Sequence, residues 1–74
     1  MQVTVKLFAG LRQGRFAAEK FVFDDGITIA RIVEKHEISG SEVGILLCNG
    51  RHTDFSRKLE DGDIVSIFPK IGGG

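Results

Sequence analysis

The 74-residue sequence lacks several features that mark whole classes of protein. Cys48 is its single cysteine, so no intramolecular disulfide can form and a disulfide-stapled secreted scaffold is excluded. No apolar run approaches the roughly 20 residues that a membrane-spanning helix requires, and the first residues lack the charged and apolar regions of a signal peptide. We therefore expect a cytoplasmic protein that does not enter a membrane.

An excess of charge is also missing, because ten Lys and Arg residues balance ten Asp and Glu residues. Without a basic field to attract a phosphate backbone, nucleic-acid binding is not expected. The remaining composition, 42% hydrophobic and 27% charged residues, is typical of an ordinary globule. The length leaves room for one domain.

Four stretches carry the patterns of β-strands: residues 2–9, 19–24, 43–48 and 64–68. The first, second and last alternate between apolar and polar or between two apolar faces, as half-buried strands do. The third, VGILLC, is a continuous apolar run, as expected for a strand covered on both faces or at the centre of a sheet. A short edge strand is expected within residues 51–59, after the turn signal Asn49-Gly50.

One helix is predicted between the second and third strands. Thr28 is a suitable N-cap, because its hydroxyl can accept a hydrogen bond from a backbone N–H of the first turn. The apolar stripe consists of residues spaced three and four apart: Ile29, Ile32, Val33 and, last, His36. Residues 37–42 end the helix, where Gly40 can adopt a left-handed conformation.

This order of elements predicts an α+β domain over residues 1–69, with the ubiquitin-like β-grasp arrangement. A mixed sheet of about five strands would carry one main helix on one face, and the first and last strands would form its parallel central pair. Residues 70–74 are expected to form a flexible glycine-rich tail, because glycine loses more backbone entropy on ordering than any other residue.

The last strand predicts an apolar patch beside the root of this tail. If Val65 and Ile67 face the helix, then Phe68 and Phe8 lie on the open face of the sheet. Apolar surface left in water often marks a partner site. The alternatives are a reversed register or loops that cover the rings. The predicted partner-binding residues are Phe8, Phe68, Pro69 and Ile71.

Other reactive side chains form no recognisable site. Cys48 ends an apolar run, where a cysteine is more often a small core hydrophobe than a redox or thioester group. His36 and His52 lie on different elements without a cysteine pair, so no metal site is predicted. A partial positive charge on His36 would suit the C-terminal end of the helix. Because no nucleophile, base and oxyanion hole come together, we do not expect an enzyme.

The charged side chains near the turns are expected to be structural or solvated. Two acidic pairs are interpreted as turn formers: Asp24 with Asp25, and Asp61 with Asp63. The second pair could also contact basic groups of a partner. Three arginines could form a modest basic rim but are interpreted as solvated surface charges: Arg12, Arg15 and Arg51.

Four segments resemble the small sulfur-carrier proteins: LFAGLRQ at 7–13, DGITIARIV at 25–33, CNGR at 48–51 and LEDGDIVSIFPKIGGG at 59–74. The sharpest part is the order DGD, apolar strand, FP and terminal diglycine. The sequence is most similar to the family of molybdopterin synthase small subunits, with the sulfur carriers of the thiamine pathway as near relatives. Three glycines, and Lys70 where a second proline is common, leave a tungsten-pterin or another pathway open.

The resemblance implies that the α-carboxylate of Gly74 is the working group. A partner adenylating enzyme, similar to ubiquitin-activating enzymes, would use ATP to activate it, and a sulfur donor would convert it to a thiocarboxylate. A larger synthase subunit would then pass the sulfur to a small-molecule precursor. Gly72 and Gly73 would thread through the narrow channels of the partners, because they carry no Cβ. The carrier itself would bind no cofactor.

Two further hypotheses remain open at this point. The activated Gly74 could instead be joined to protein lysines, as in a ubiquitin-like modifier. Alternatively, the chain could be a plain β-grasp binding module whose glycines are incidental, in which case removing Gly73 and Gly74 would leave its function intact.

Overall fold

The structure is a computed structural model that describes residues 1–71. Within these residues it contains five strands and one α-helix: β1 Gln2–Leu7, β2 Ala18–Val22, α1 Ile29–Lys35, β3 Val43–Cys48, β4 Arg51–His52 and β5 Ile64–Pro69. Two short 3-10 helices lie at Ala9–Arg12 and Gly40–Glu42. Gly72, Gly73 and Gly74 lie outside the described residues, so the predicted tail and the domain boundary stay predictions.

The five strands form one mixed sheet in the order β2-β1-β5-β3-β4. β1 and β5 run parallel at its centre, with Val5 opposite Val65, and the other three pairings are antiparallel. This arrangement, with α1 on one face, confirms the predicted ubiquitin-like β-grasp of the α+β class. The short edge strand predicted after Asn49-Gly50 is β4.

The core lies between α1 and one face of the sheet. The residues predicted to face inward are buried: Val3, Val5, Leu7, Val65 and Ile67 from the central strands, and Ile29, Ile32 and Val33 from α1. Phe21 and Phe23 pack beside them and are partly buried. Full burial of one such aliphatic side chain contributes about 1.5–3 kcal/mol, so this layer holds the helix on the sheet. No helix within residues 1–71 is both long and apolar enough to cross a bilayer.

Helix α1 begins as predicted but ends differently. The Thr28 hydroxyl accepts a hydrogen bond from the Arg31 backbone N–H at 3.3 Å, which confirms the N-cap. Beyond the helix, Glu37 adopts the left-handed conformation, with φ of 57°, so the assignment of that role to Gly40 was wrong. Gly40 instead begins a 3-10 helix that Ser39 caps. Arg15 donates to the Glu37 carbonyl at 3.2 Å and helps to hold this unusual backbone.

Strand β3 is the main departure from the prediction. It is covered on one face only, because Ile45 is 39% exposed on the other. Its pairing with β5 shifts register between Val43 and Ile45, which is a β-bulge. The extra residue lets Val43 and Leu46 both face the core although they are three positions apart. A continuous apolar run predicts neither the bulge nor the face, since it carries no period of two.

Candidate functional site

Phe8 and Phe68 form a stacked pair on the open face of the sheet, beside the end of β5. Their ring centroids lie 4.1 Å apart and the ring planes differ by 12°. The Phe8 N–H donates to the Ile67 carbonyl at 3.2 Å, which extends the pairing of the central strands beyond β1. Both rings are half-buried. The predicted register is therefore confirmed, whereas the role of the two rings in partner binding stays a prediction.

An apolar groove of about 380 Å³ runs along this pair to the point where the chain leaves the sheet. Its apolar lining consists of Phe8, Ala9, Ile45, Phe68, Pro69 and Ile71. Ile71 is 92% exposed, and Ile45 adds further apolar surface on the side of β3. Ile45 was not among the predicted site residues, because the apolar run in β3 does not indicate which of its side chains face outward. Pro69 and Ile71, both predicted, lie in this groove.

Arg12 supports the aromatic pair from the side. Its Nε donates to the Leu7 carbonyl at 2.7 Å, and its guanidinium carbon lies 5.4 Å from the centre of the Phe8 ring. A cation at this distance from a ring contributes about 0.5–1 kcal/mol at an exposed site. Arg12 remains exposed, as expected for a surface charge, but it also contacts the domain through this bond and this ring. The sequence carries no local sign of this contact, because it depends on the turn at Ala9, where φ is 51°.

Arg15 is half-buried and structural rather than solvated. Its guanidinium donates to the carbonyls of Leu11 at 3.0 Å and His36 at 3.1 Å, in addition to that of Glu37. These bonds tie the loop after β1 to the end of α1. Arg51, in contrast, is exposed on β4, as expected.

Cys48 and His36 do not form a reactive site. Cys48 is 3% exposed, and burial, together with the negative charge of Asp63, raises the pKa of its thiol. The thiol therefore stays protonated, which confirms the interpretation as a core residue. Burial and the charge of Arg15 lower the pKa of His36, which lies against the rings of Phe16 and Phe21. His36 is the C-cap of α1, as expected, and its lowered pKa disfavours the partial positive charge suggested for it there.

The acidic residues around Gly62 hold the ends of strands together. Asp63 is 8% exposed and accepts hydrogen bonds from the Glu60 N–H at 2.8 Å and the Asn49 side-chain amide at 2.9 Å. The Glu60 bond is the main reason that the pKa of Asp63 is lowered. Asp61 accepts from the Gln2 N–H at 2.6 Å. Both are turn formers, as predicted, but the burial of Asp63 contradicts its suggested contact with a partner.

The two histidines lie on separate elements, as the sequence indicates. His36 follows α1 and His52 lies on β4. Within residues 1–71, no three His, Cys, Asp or Glu side chains gather in a way that could hold a metal ion.

Comparison with known proteins identifies the family. A family profile described as the ThiS family matches residues 5–74. The chain belongs to the ThiS family. It is thus a ubiquitin-fold protein of the sulfur-carrier type, as the resemblance of its four segments implied. A search of curated proteins found no significant match.

Solved structures support the same assignment. A Pyrococcus furiosus protein described as a putative molybdopterin converting factor, subunit 1, is 26% identical with a TM-score of 0.78, over 96% of this chain and 99% of that one. Small archaeal modifier protein 1 of Haloferax volcanii is 19% identical, with a TM-score of 0.73 over 95% and 98% of the two chains. A complex of subunits 1 and 2 of molybdopterin-converting factor from Helicobacter pylori matches over 100% of both chains, with 22% identity and a TM-score of 0.67. The last two likenesses show the fold alone.

Proposed function

We propose that this ThiS-family chain carries sulfur for molybdopterin or tungsten-pterin cofactor biosynthesis, as the small subunit of a synthase. The observation that carries the proposal is the apolar groove at the root of the tail, built on the Phe8–Phe68 stack. A groove in this place lets one partner hold the domain and reach the C-terminal residues at the same time. The likeness to the Pyrococcus furiosus protein supports the choice of pathway.

In this proposal the working atoms are those of the Gly74 α-carboxylate. A carboxylate is a poor electrophile, because oxide is not a leaving group. On the adenylating partner, the carboxylate oxygen attacks the α-phosphate of ATP and pyrophosphate leaves. Hydrosulfide released by a sulfur donor then attacks the acyl carbon, AMP leaves, and loss of the proton gives the thiocarboxylate. ATP binds to the partner, so the carrier needs no cofactor of its own, and the requirement for ATP supports a cytoplasmic location.

The domain contributes binding and presentation rather than catalysis. Half-buried rings at the centre of a patch are the kind of residue that dominates binding energy when a partner covers them. Gly72 and Gly73 would thread the channel of the partner, where a chain without Cβ atoms needs the least space. The larger synthase subunit would then occupy the same groove; a protein of this fold from Helicobacter pylori, subunit 1 of molybdopterin-converting factor, forms a complex with subunit 2.

The proposal is tested by loading the carrier with sulfur. The full chain is incubated with a candidate adenylating enzyme, ATP and a sulfur donor, and its intact mass is measured. We expect the mass change of one oxygen replaced by sulfur, located at Gly74 by fragmentation. Adding one alanine after Gly74 should abolish the change. Loading that persists in the extended protein would contradict the assignment of the carboxylate.

The groove is tested separately with Phe68→Ala. Loss of the stacked ring should lower the rate of loading by about tenfold or more, in line with a central interface aromatic. Val22→Ala is the matched control, because Val22 is 81% exposed on the edge strand β2, away from the groove. Equal loading of both variants would argue against the groove as the docking site.

The pathway is tested by the acceptor of the activated chain. Transfer of sulfur to a pterin precursor in the presence of a large synthase subunit supports our proposal, whereas sulfur transfer only in thiazole formation assigns the thiamine pathway. The likeness in fold to small archaeal modifier protein 1 makes protein lysines a third acceptor worth measuring. Isopeptide-linked Gly-Gly remnants on other proteins would identify a modifier.

A further inference from the structure

Gly44 lies against the backbone of Pro69 and Lys70, which we call the tail root. The approach is too close for any residue that carries a Cβ. A Cβ built on Gly44 would lie 2.7 Å from the Pro69 carbonyl oxygen, 2.9 Å from the Lys70 Cα and 3.0 Å from the Lys70 nitrogen. All three are backbone atoms, so they cannot move aside by a change of side-chain rotamer. Gly44 has no left-handed φ, so its conformation alone does not require glycine. The requirement comes from close approach to the chain that leaves the sheet.

This close approach occurs at the bulge of β3. Val43 pairs with Pro69 and Ile45 with Phe68, which leaves Gly44 as the extra residue between the two pairs. Bulges often redirect a strand next to a functional site. Here the bulge brings the main chain of β3 against the last paired residues of β5.

A hydrogen bond holds the tail root from the same side. The Lys70 N–H donates to the Glu42 carbonyl at 3.0 Å. Glu42 is itself fixed, because its carboxylate accepts from the Ser39 N–H at 2.9 Å in a capping box. Lys70 is thus drawn towards residues 42–44, and the missing side chain of Gly44 leaves the space for it.

We propose that Gly44 is a positioning residue that sets the direction in which the tail leaves the domain. This inference rests on the proposed function, in which the groove docks on a partner while Gly74 enters its active site. Since Gly74 lies only four positions after Lys70, a displacement of Lys70 shifts the starting point of the whole tail. A misplacement of about 1 Å can cost about a hundredfold in rate at a reacting centre.

The test compares Gly44→Ala with Gly40→Ala in the full chain. Gly40 is the matched control, because a Cβ built there meets no atom within 4 Å. Adenylation is measured by ATP–pyrophosphate exchange as a function of carrier concentration. For Gly44→Ala we expect kcat to fall about tenfold or more, with KM within about twofold, since the aromatic pair that docks is unchanged. Gly40→Ala should match the wild type in both constants.

A second readout follows the tail root without any partner. Hydrogen exchange of the Lys70 amide should be faster in Gly44→Ala than in the wild type, while the amides of β1 keep their protection. A merely destabilising substitution would instead speed up exchange across the whole sheet. Should Gly44→Ala not fold, Glu42→Ala tests the same arrangement by removing the capping box, and a smaller fall in kcat with faster Lys70 exchange is expected.

The outcomes separate the two proposals. If the wild type is adenylated and Gly44→Ala has the same kcat, or if its Lys70 amide exchanges as slowly as that of the wild type, the role of Gly44 is overturned. If the wild type is never adenylated at Gly74, the proposed function itself fails, and the inference fails with it.

Discussion

The two faces of the sheet carry apolar side chains of similar size, but one face buries them and the other leaves them partly exposed. On the face under α1, Val65 and Ile67 are fully buried. On the other face, their neighbours in the same strand, Ile64 and Phe68, remain in contact with solvent, Ile64 at 38% exposure. One strand therefore supplies both the core of the domain and the floor of the groove.

This difference shows how the domain separates stability from binding. A side chain between helix and sheet has all its contacts within the chain, so its removal leaves a cavity. A ring on the open face has one side free, so much of its apolar surface is still available to a partner. Substitutions at Val65 and Ile67, which face α1, should thus mainly lower stability. Substitutions at the even-numbered positions of β5, on the open face, should mainly affect binding.

The largest effect on stability is expected on the helix side. Ile67→Ala should lower the free energy of unfolding by about 2–5 kcal/mol, because it opens a cavity in a fully buried layer. Ile64→Ala, on the opposite face of the same strand, is the matched control and should cost about 1 kcal/mol or less. Urea unfolding of both variants measures the difference. Equal losses would break the distinction between the faces.

The second largest effect on stability is expected at Asp63, which is the buried polar side chain among residues 1–71. Asp63→Ala should lower the free energy of unfolding by about 1–3 kcal/mol, because the Glu60 N–H and the Asn49 amide lose their acceptor. Asp24→Ala, at an exposed position, should change it by less than about 0.5 kcal/mol. Thermal unfolding distinguishes them.

A smaller effect on stability is expected for Phe68→Ala, although its effect on loading is large. Loss of the stacked, half-buried ring should cost about 1–2 kcal/mol of unfolding free energy. Phe55→Ala is the control, since Phe55 is 37% exposed and lies beside α1 rather than in the groove. We expect Phe55→Ala to load sulfur normally. Impaired loading in both would show that stability, not the groove, limits the reaction.

The smallest effect is a dependence on pH. Burial, and next the charge of Arg15, lower the pKa of His36 below its ordinary value of 6.5, against the opposing charge of Glu19. As the pH falls, the unfolded chain therefore takes up a proton on His36 at a higher pH than the folded chain does. The free energy of unfolding is thus unaffected by His36 above pH 6.5 and decreases as the pH drops below that value. Unfolding free energies at several pH values measure this slope. It should weaken in His36→Phe and persist in His52→Gln, which changes an exposed residue.

The central strands and the helix could be predicted from the sequence because each has a clear period. Alternation in β1 and β5 distinguishes two faces, and this also placed Phe8 and Phe68 together. The β-grasp order followed from the succession of elements. The Thr28 cap was likewise local, since its acceptor and donor lie three residues apart.

The remainder depends on contacts between distant parts of the chain. The bulge that turns Val43 to the core appears only when β3 is paired with β5, and the apolar run in β3 hides it. Arg15 reaches carbonyls more than twenty residues away, at the end of α1. The left-handed residue after the helix is Glu37 rather than a glycine, because these bonds hold it there. Each of these features needs the fold before it can be seen.

The position of β5 has a consequence for the order of events during synthesis. This strand lies between β1 and β3, yet it is the nearest to the C-terminal end of the chain. A ribosome-bound intermediate without residues 64–69 would lack the middle of its sheet and could not close its core, since pairing of β1 with β5 spans about sixty residues. An enzyme that must bind the groove before it accepts the tail would therefore act only on fully folded chains.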